Sequence, residues 1–299
     1  MKQQPLKLKL KLLQKININR FKSNNMEIKA TDVAKLRHMT GAGMMDCKSA
    51  LVEANGDFDK AKDIIREKGK LIAAKRADRE TTEGAVIAKV SANKKKAILT
   101  CLGCETDFVA KNAEFQKLAN DIATAALDVF PADLTALKAV KIGGQTIEEA
   151  VTQQTGKSGE KHALPTYSKL EAPYIASYIH TNGKLATIVG FSKELSYEVG
   201  REIAMQITAM SPVSVSRNDC PKKVIEKELE IYRVQIREEG KPENMVEQIA
   251  NGKLNKFFKE STLEDQIFVK DGKITVSAYL KSVDPEVKVT GFFRYSLND

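Results

Sequence analysis

Cys101-Leu-Gly-Cys104 has the spacing of a redox or metal-binding pair. A zinc site needs a second pair of ligands at matching spacing, and Cys47 and Cys220 do not supply one. A thioredoxin-like pair would open a helix. This one falls in or beside an apolar run (Ala97, Ile98, Leu99, Cys101, Leu102) that reads as a strand. The cysteines are expected to be packing residues in a reducing compartment, in a fold that does not depend on disulfides. A thiol oxidoreductase is the weak rival, and a thiolate of depressed pKa would be its mark. His38, His162 and His180 show no carboxylate or cysteine companion, so no nucleophile–base pair emerges. Phosphate-loop, dinucleotide-loop, HExxH and GxSxG motifs are all absent. The sequence offers no built-in active site, no cofactor and no metal set.

The residues left to act are those of Cys104-Glu-Thr-Asp-Phe-Val-Ala-Lys111. They set a carboxylate, Asp107, directly beside a large aromatic, Phe108, between the apolar run and a helix that opens just after Lys111. A Phe in such a connection either pins its own core or stands out as a wedge for a partner protein. On residue type alone the core reading is favoured by about two to one.

The elements that must position this turn can be read from periodicity. Residues 30–69 form three short helices. Thr31 and Asp32 start the first, Thr40-Gly41-Ala42-Gly43 breaks it, and the second stops at Asn55-Gly56. Asp57 caps the third, which Gly69 ends, and residues 70–80 are a linker or helix extension. Beyond them Ala88 to Leu99 and Ala176 to Val189 share one layout: an alternating strand, a turn built on Asn93 or Asn182, and a second apolar strand. Each copy is followed by a helix, Ala113 to Leu127 and Leu195 to Met210. A Gly-, Gln- and Lys-rich stretch, 143–161, lies near the join. Residues 219–260 read as an antiparallel helical hairpin interrupted at Gly240 and Pro242, and Ile267-Phe-Val and Val287 to Tyr295 close the chain as strands.

The fold class is therefore α+β, a three-helix bundle followed by two related α+β subdomains with antiparallel sheets and an inserted helical hairpin. The divisions are a leader 1–25, the bundle and linker 26–80, a first subdomain 81–160 and a second 161–299 carrying the hairpin 219–260. At 299 residues the chain has room for them all. The net charge of +9 suggests nucleic acid, but residues 1–25 hold seven basic residues and no acid, leaving +2 for the rest. A nucleic-acid footprint should be a basic face on the folded part. The leader is Lys-rich rather than Arg-rich, so a disordered tail or a start placed before Met26 is expected, with a presequence as the alternative.

These pieces resemble a known family. Met26-Glu-Ile-Lys-Ala-Thr-Asp-Val-Ala-Lys-Leu-Arg-His-Met-Thr-Gly-Ala-Gly-Met-Met-Asp-Cys-Lys-Ser-Ala-Leu51 is similar to the amino-terminal signature of the elongation factor Ts family. Cys104 to Lys111 is similar to its second signature, and the likeness runs from Met26 to the end. The resemblance implies a guanine nucleotide exchange factor for the translational GTPase elongation factor Tu, with no bond chemistry of its own. It implies a bundle like ubiquitin-associated domains in fold, without any bearing on ubiquitin.

By the same resemblance, Thr106, Asp107, Phe108 and Val109 would dislodge magnesium from the partner, Phe108 entering an apolar pocket with Asp107 beside it. Leu36, Arg37, Met44 and Met45 would lie on the bundle that grips the partner; from their place after the glycine loop alone, one of the two methionines is expected in the core. His180 would touch a more distant partner domain; a partly exposed strand residue is an equal reading. Neither nucleic acid nor membrane is an expected partner, and the hairpin is where a weak homodimer would form. Two departures matter. Well-known members continue past the last strand into a further helix that touches the partner, whereas this chain stops four residues after Tyr295, so that contact is expected to be missing. The leader leaves an organelle as the alternative to the cytoplasm. A ribosome- or RNA-associated binding protein is the rival function, and RNA affinity with steep salt dependence would be its mark.

Overall fold

The computed structural model describes residues 28–297, so the leader lies outside the described residues. The chain divides between Ala74 and Lys75 into two compact units. The first contains α1 (Ala30–Thr40), α2 (Met44–Glu53) and most of α3 (Phe58–Lys75). Its core is Val33, Leu36, Cys47, Ala50, Leu51 and Ala61, with Phe58, Ile64 and Ile65 packed around them. Gly41 ends α1 at φ 69°, where a side chain would be strained, and its N–H donates to Arg37 O at 2.7 Å. α1 opens at Ala30, one residue before the expected start, without a side-chain cap. Asp57 Oδ1 caps α3, accepting from the N–H groups of Asp59 and Lys60 at 3.0 and 3.1 Å. Gly69 does not stop this helix. One interior glycine costs only about 1 kcal/mol, and the good helix formers Lys70, Leu71, Ala73 and Ala74 carry it on to Lys75.

The second unit repeats one plan twice. In the first half, β1 (Glu83–Val90) and β2 (Lys96–Cys104) form a hairpin. There follow α4 (Asp107–Ala110), α5 (Ala113–Val129), α6 (Leu134–Ala139), the two-residue strands β3 (Lys141–Ile142) and β4 (Gln145–Thr146), and α7 (Ile147–Ser158). Strand β5 (Ala163–Glu171) then returns to pair antiparallel with β2. In the second half, β6 (Tyr174–Ile179) and β7 (Leu185–Phe191) form the hairpin and α8 (Tyr197–Met210) follows. The excursion here is α9 (Lys222–Glu238), α10 (Glu243–Ser261) and α11 (Val276–Val283), and β8 (Val289–Ser296) returns to β7. The sheet orders, β1-β2-β5 and β6-β7-β8, are the same. So is the turn chemistry: Asn93 Oδ1 accepts from Lys95 N–H at 3.2 Å, and Asn182 Oδ1 from Lys184 N–H at 3.0 Å.

The two sheets meet through Val86, Ala97, Leu99 and Cys101 of one and Ile175, Ala186 and Ile188 of the other. On the far face of the first sheet Ile98 and Leu102 pack with Phe115 and Ile122 of α5. On the far face of the second, Val189 and Phe191 pack with Ile203 and Ile207 of α8. β2 is thus covered on both sides, which explains why it reads as a nearly continuous apolar run, with even Thr100 buried. It also separates Cys101 and Cys104, which fall on opposite faces of the strand and in different cores.

Two sequence expectations need correction here. The stretch 143–161, expected near the join, lies inside the first half: Gly143-Gly144 turn a small hairpin, α7 follows with a capping box between Thr146 and Glu149, and β5 then completes the first sheet. Ile267-Phe-Val is not a strand. Ile267 makes an isolated bridge to Thr275, and the buried amide of Gln206 bonds Ile267 O at 3.2 Å and Val269 N–H at 2.9 Å instead. A side chain has taken the place of a neighbouring strand.

The expected helical hairpin is present, closed on Ile236, Val246 and Ala250 and flanked by the Arg233–Glu247 and Arg237–Glu243 ion pairs, each at 2.6 Å. At Gly200 of α8 a Cβ would sit 2.8 Å from the Ala176 Cβ of β6, so helix and sheet approach through that glycine. Gly200→Val should lower stability by about 1–3 kcal/mol. The expected observation is a lower urea midpoint with an unchanged slope.

Candidate functional site

Beyond the buried end of β2, Thr106 caps the single turn α4, Asp107–Ala110. Ala110 is buried and Val109 packs on the first core, which anchors the turn from below. Phe108 points the other way. It is 84% exposed, more than any other large apolar residue of the described chain. Between the two readings of this ring, its own core is therefore excluded. Asp107 pairs with Lys111 at 2.7 Å. That hydrogen bond holds the Asp107 carboxyl below its usual range and the Lys111 ammonium above its own. The pair is largely solvated, so its effect is on orientation more than stability.

The turn is stitched to the loop that follows α7. Glu160 Oε2 accepts from Thr106 N–H at 3.1 Å and Oε1 from the Thr106 hydroxyl at 2.7 Å. In the reverse direction Glu105 Oε1 accepts from Lys161 N–H at 2.6 Å. Glu105 also takes both bonds of Arg76 Nη1, at 2.8 and 2.9 Å. The Lys161 amide, and then Arg76, hold the Glu105 carboxyl below its ordinary value. Beneath lies His162, buried beside Phe115 with ring centroids 5.5 Å apart. Its Nδ1 lies 3.0 Å from Glu160 O, while Nε2 has no hydrogen-bond partner. Glu105 lies within the motif without an assigned role, and the sequence points to none of Arg76, Glu160, Lys161 or His162. Glu160 is 54 positions from Thr106, and no local pattern marks the pairing.

Burial pushes the Cys101 thiol up to about 12, with Cys104 adding to it. Burial likewise raises Cys104 to about 12, with Glu160 and Glu83 contributing. Cys104 Sγ lies 3.2 Å from Thr106 O as a donor, a bond that needs the protonated thiol. Such thiols are the opposite of a reactive pair, and the oxidoreductase reading falls.

A cleft of about 350 Å³ brings the turn together with the second hairpin, lined by Glu83, Asp107, Lys111, Ile179, Asn182 and Lys184 among others. Val86 N–H donates to Gly183 O at 2.8 Å across it. His180 is exposed at the rim of that hairpin, its Nδ1 3.3 Å from the Tyr178 hydroxyl. Arg201 in turn covers the Tyr178 ring at 5.3 Å.

On the bundle, Arg37, Met44 and Met45 are exposed, the methionines by 47% and 72%. The expectation that one methionine is core is wrong, because Ala42 and Cys47 already fill the inward positions beside the glycine loop. Leu36 is also corrected. It is completely buried in the bundle core, and its carbonyl accepts from the Thr40 hydroxyl at 2.8 Å, so it supports the loop from inside and offers no surface.

The fold is that of an α+β protein with a helical bundle, and exposed side chains stand on the α4 turn and, separately, on the bundle. The sequence profile of the Elongation factor TS family matches residues 105–299. The chain is 47% identical over 273 residues to elongation factor Ts of Christiangramia forsetii, covering 91% of this chain and 99% of that one. It is 48% identical over 272 residues to that of Amoebophilus asiaticus, covering 90% and 98%. For Porphyromonas gingivalis the figures are 46% over 275 residues, 91% and 99%. The chain belongs to the elongation factor Ts family, a family of translation elongation factors. No helix among the described residues is long and apolar enough to cross a membrane.

Burial depresses the His162 pKa from its ordinary 6.5, partly offset by the Glu160 carbonyl and the Glu160 and Glu105 charges. The folded protein therefore binds this proton less readily than the unfolded chain. Its contribution is complete above pH 6.5 and is lost as pH falls through the folded-state value. Urea midpoints taken between pH 7.5 and 5 should fall on acidification, and His162→Leu should flatten that slope.

Proposed function

We propose that the chain is a guanine nucleotide exchange factor for elongation factor Tu, working in the cytoplasm and carrying out no bond chemistry itself. The observation that carries this reading is the exposure of Phe108 on an anchored turn next to Asp107. A wedge must already stand in water before it meets its partner. In this reading Phe108 enters an apolar pocket of the GTPase, with Thr106, Asp107 and Val109 against it, and the bound magnesium is displaced. That ion holds the nucleotide phosphates, so its loss weakens GDP far beyond the size of the movement. Arg37, Met44 and Met45 would grip the partner from the bundle, Met suiting an adaptable contact. His180, beside Tyr178, would reach a more distant part of the partner.

Magnitudes show why one ring is insufficient. Weakening a nucleotide from nanomolar to micromolar takes about 4 kcal/mol of coupling between the two ligands. Burying one Phe side chain supplies about 1.5–3 kcal/mol. The balance has to come from a wide interface, on the order of 2,000 Å² or more. Separate docking groups on the bundle, the α4 turn and the second hairpin fit that requirement.

The deciding measurement is release of fluorescent GDP from the host elongation factor Tu with and without this protein. Phe108→Ala should slow stimulated release by about 10- to 100-fold while the thermal unfolding curve stays in place. Release at the parent rate would remove the wedge. Met44→Ala combined with Met45→Ala should instead weaken complex formation by about tenfold, read by titration calorimetry, with a smaller effect on the rate at saturation.

A further inference from the structure

We propose that Glu160 is a positioning residue for exchange, holding the Thr106–Val109 turn in the conformation that presents Phe108; the inference rests on reading Phe108 as the wedge. The four-residue α4 cannot hold itself, because a single helical turn is unstable without outside support. From below it has Val109 and Ala110 on the core. At its amino end the support is Thr106, and Thr106 is gripped at two points by one carboxylate. The hydroxyl proton is directed to Glu160, which leaves the Thr106 oxygen facing Val109 N–H, 3.5 Å away, as the cap of the turn. Without Glu160 that hydroxyl is free to rotate and a half-buried amide loses its partner. The Asp107–Lys111 pair cannot substitute, since both residues move with the turn.

Glu160 is itself held. Gly159 closes α7 at φ 74°, Ser158 Oγ accepts from Glu160 N–H at 3.1 Å, and Glu160 O lies 3.0 Å from the buried His162 ring. The dipeptides 105–106 and 160–161 thus exchange carboxylate-to-amide bonds in both directions. Among the described residues the Glu160 carboxylate makes no ion pair, whereas Glu105 is shared with Arg76. A carboxylate that meets one threonine with both oxygens and no cation acts as a geometric clamp. Its replacement should change where Phe108 stands more than how well the partner is bound elsewhere.

The test uses the full chain and stimulated release of fluorescent GDP from elongation factor Tu, measured over a range of exchange-factor concentrations. Glu160→Ala should lower the maximal rate by about tenfold and change the half-saturating concentration by less than about twofold. Glu160→Gln, which keeps one acceptor oxygen, should fall between that variant and the parent. Hydrogen–deuterium exchange should show faster exchange at the Thr106 and Val109 amides of Glu160→Ala, with the core strands unchanged. Because Glu160 acts through the ring, Phe108→Ala combined with Glu160→Ala should be no slower than Phe108→Ala alone. If Glu160→Ala does not fold, Thr106→Val removes only the hydroxyl arm and should shift the maximal rate in the same direction. A parent rate for these variants, or losses that multiply in the double variant, overturns the positioning role while leaving the wedge intact. A parent rate for Phe108→Ala alone overturns the wedge, and the positioning role with it.

Discussion

β2 is buried on both faces, and the rest of the second unit is arranged around that constraint. Its even-numbered apolar residues Ile98 and Leu102 need a helix over them, and α5 supplies it. Its odd-numbered residues Ala97, Leu99 and Cys101 need a second apolar surface, and the other sheet supplies that. A strand packed in this way has little freedom at its end, and the Phe108 turn begins three residues after the last residue of β2. The rigidity matters energetically. In the proposed docking one aromatic ring contributes only about 1.5–3 kcal/mol on burial, so any ordering needed at that moment would consume a large part of it.

The duplicated plan shows how exposed groups can be added without disturbing that centre. Each half is a hairpin, a helix on its outer face, an excursion, and a returning third strand. In the first half the excursion is compact, and its final loop reaches back to brace the α4 turn through Glu160 and Lys161. In the second half the same interval carries the helical hairpin, which closes on its own small core. The sheets and their shared apolar layer are alike in both, so variation is confined to the excursions. Phe108 and His180 stand exposed on a turn and a hairpin rim carried by these sheets.

The cysteine pair illustrates how spacing alone misleads. CxxC brings two thiols together at the start of a helix, but in an extended strand positions three apart face opposite ways. Cys101 enters the layer between the sheets and Cys104 the core under α5, and both thiols are held protonated by burial. Cys104 is put to a structural use as a donor to the Thr106 carbonyl. Chemistry suggested by a motif is cancelled by the element that carries it.

Periodicity and turn residues were sufficient to read the three helices of the bundle, the paired hairpins with their Asn93 and Asn182 turns, and the helical hairpin, because each depends on contacts between near neighbours in the chain. The motif around Phe108 was also legible. Whether that ring faced inward or outward was not, since a Phe between strand and helix suits either place and only the filled core under α4 decides. Leu36 and the two methionines are all large apolar residues of the bundle helices, yet packing sent Leu36 inside and left both methionines in water. The bracing of Thr106 by Glu160, the Gln206 amide that replaces a strand partner, and the sheet-to-sheet layer all join segments that are distant in sequence. They arise from the burial of surfaces against one another, and a linear pattern carries no record of which surfaces will meet.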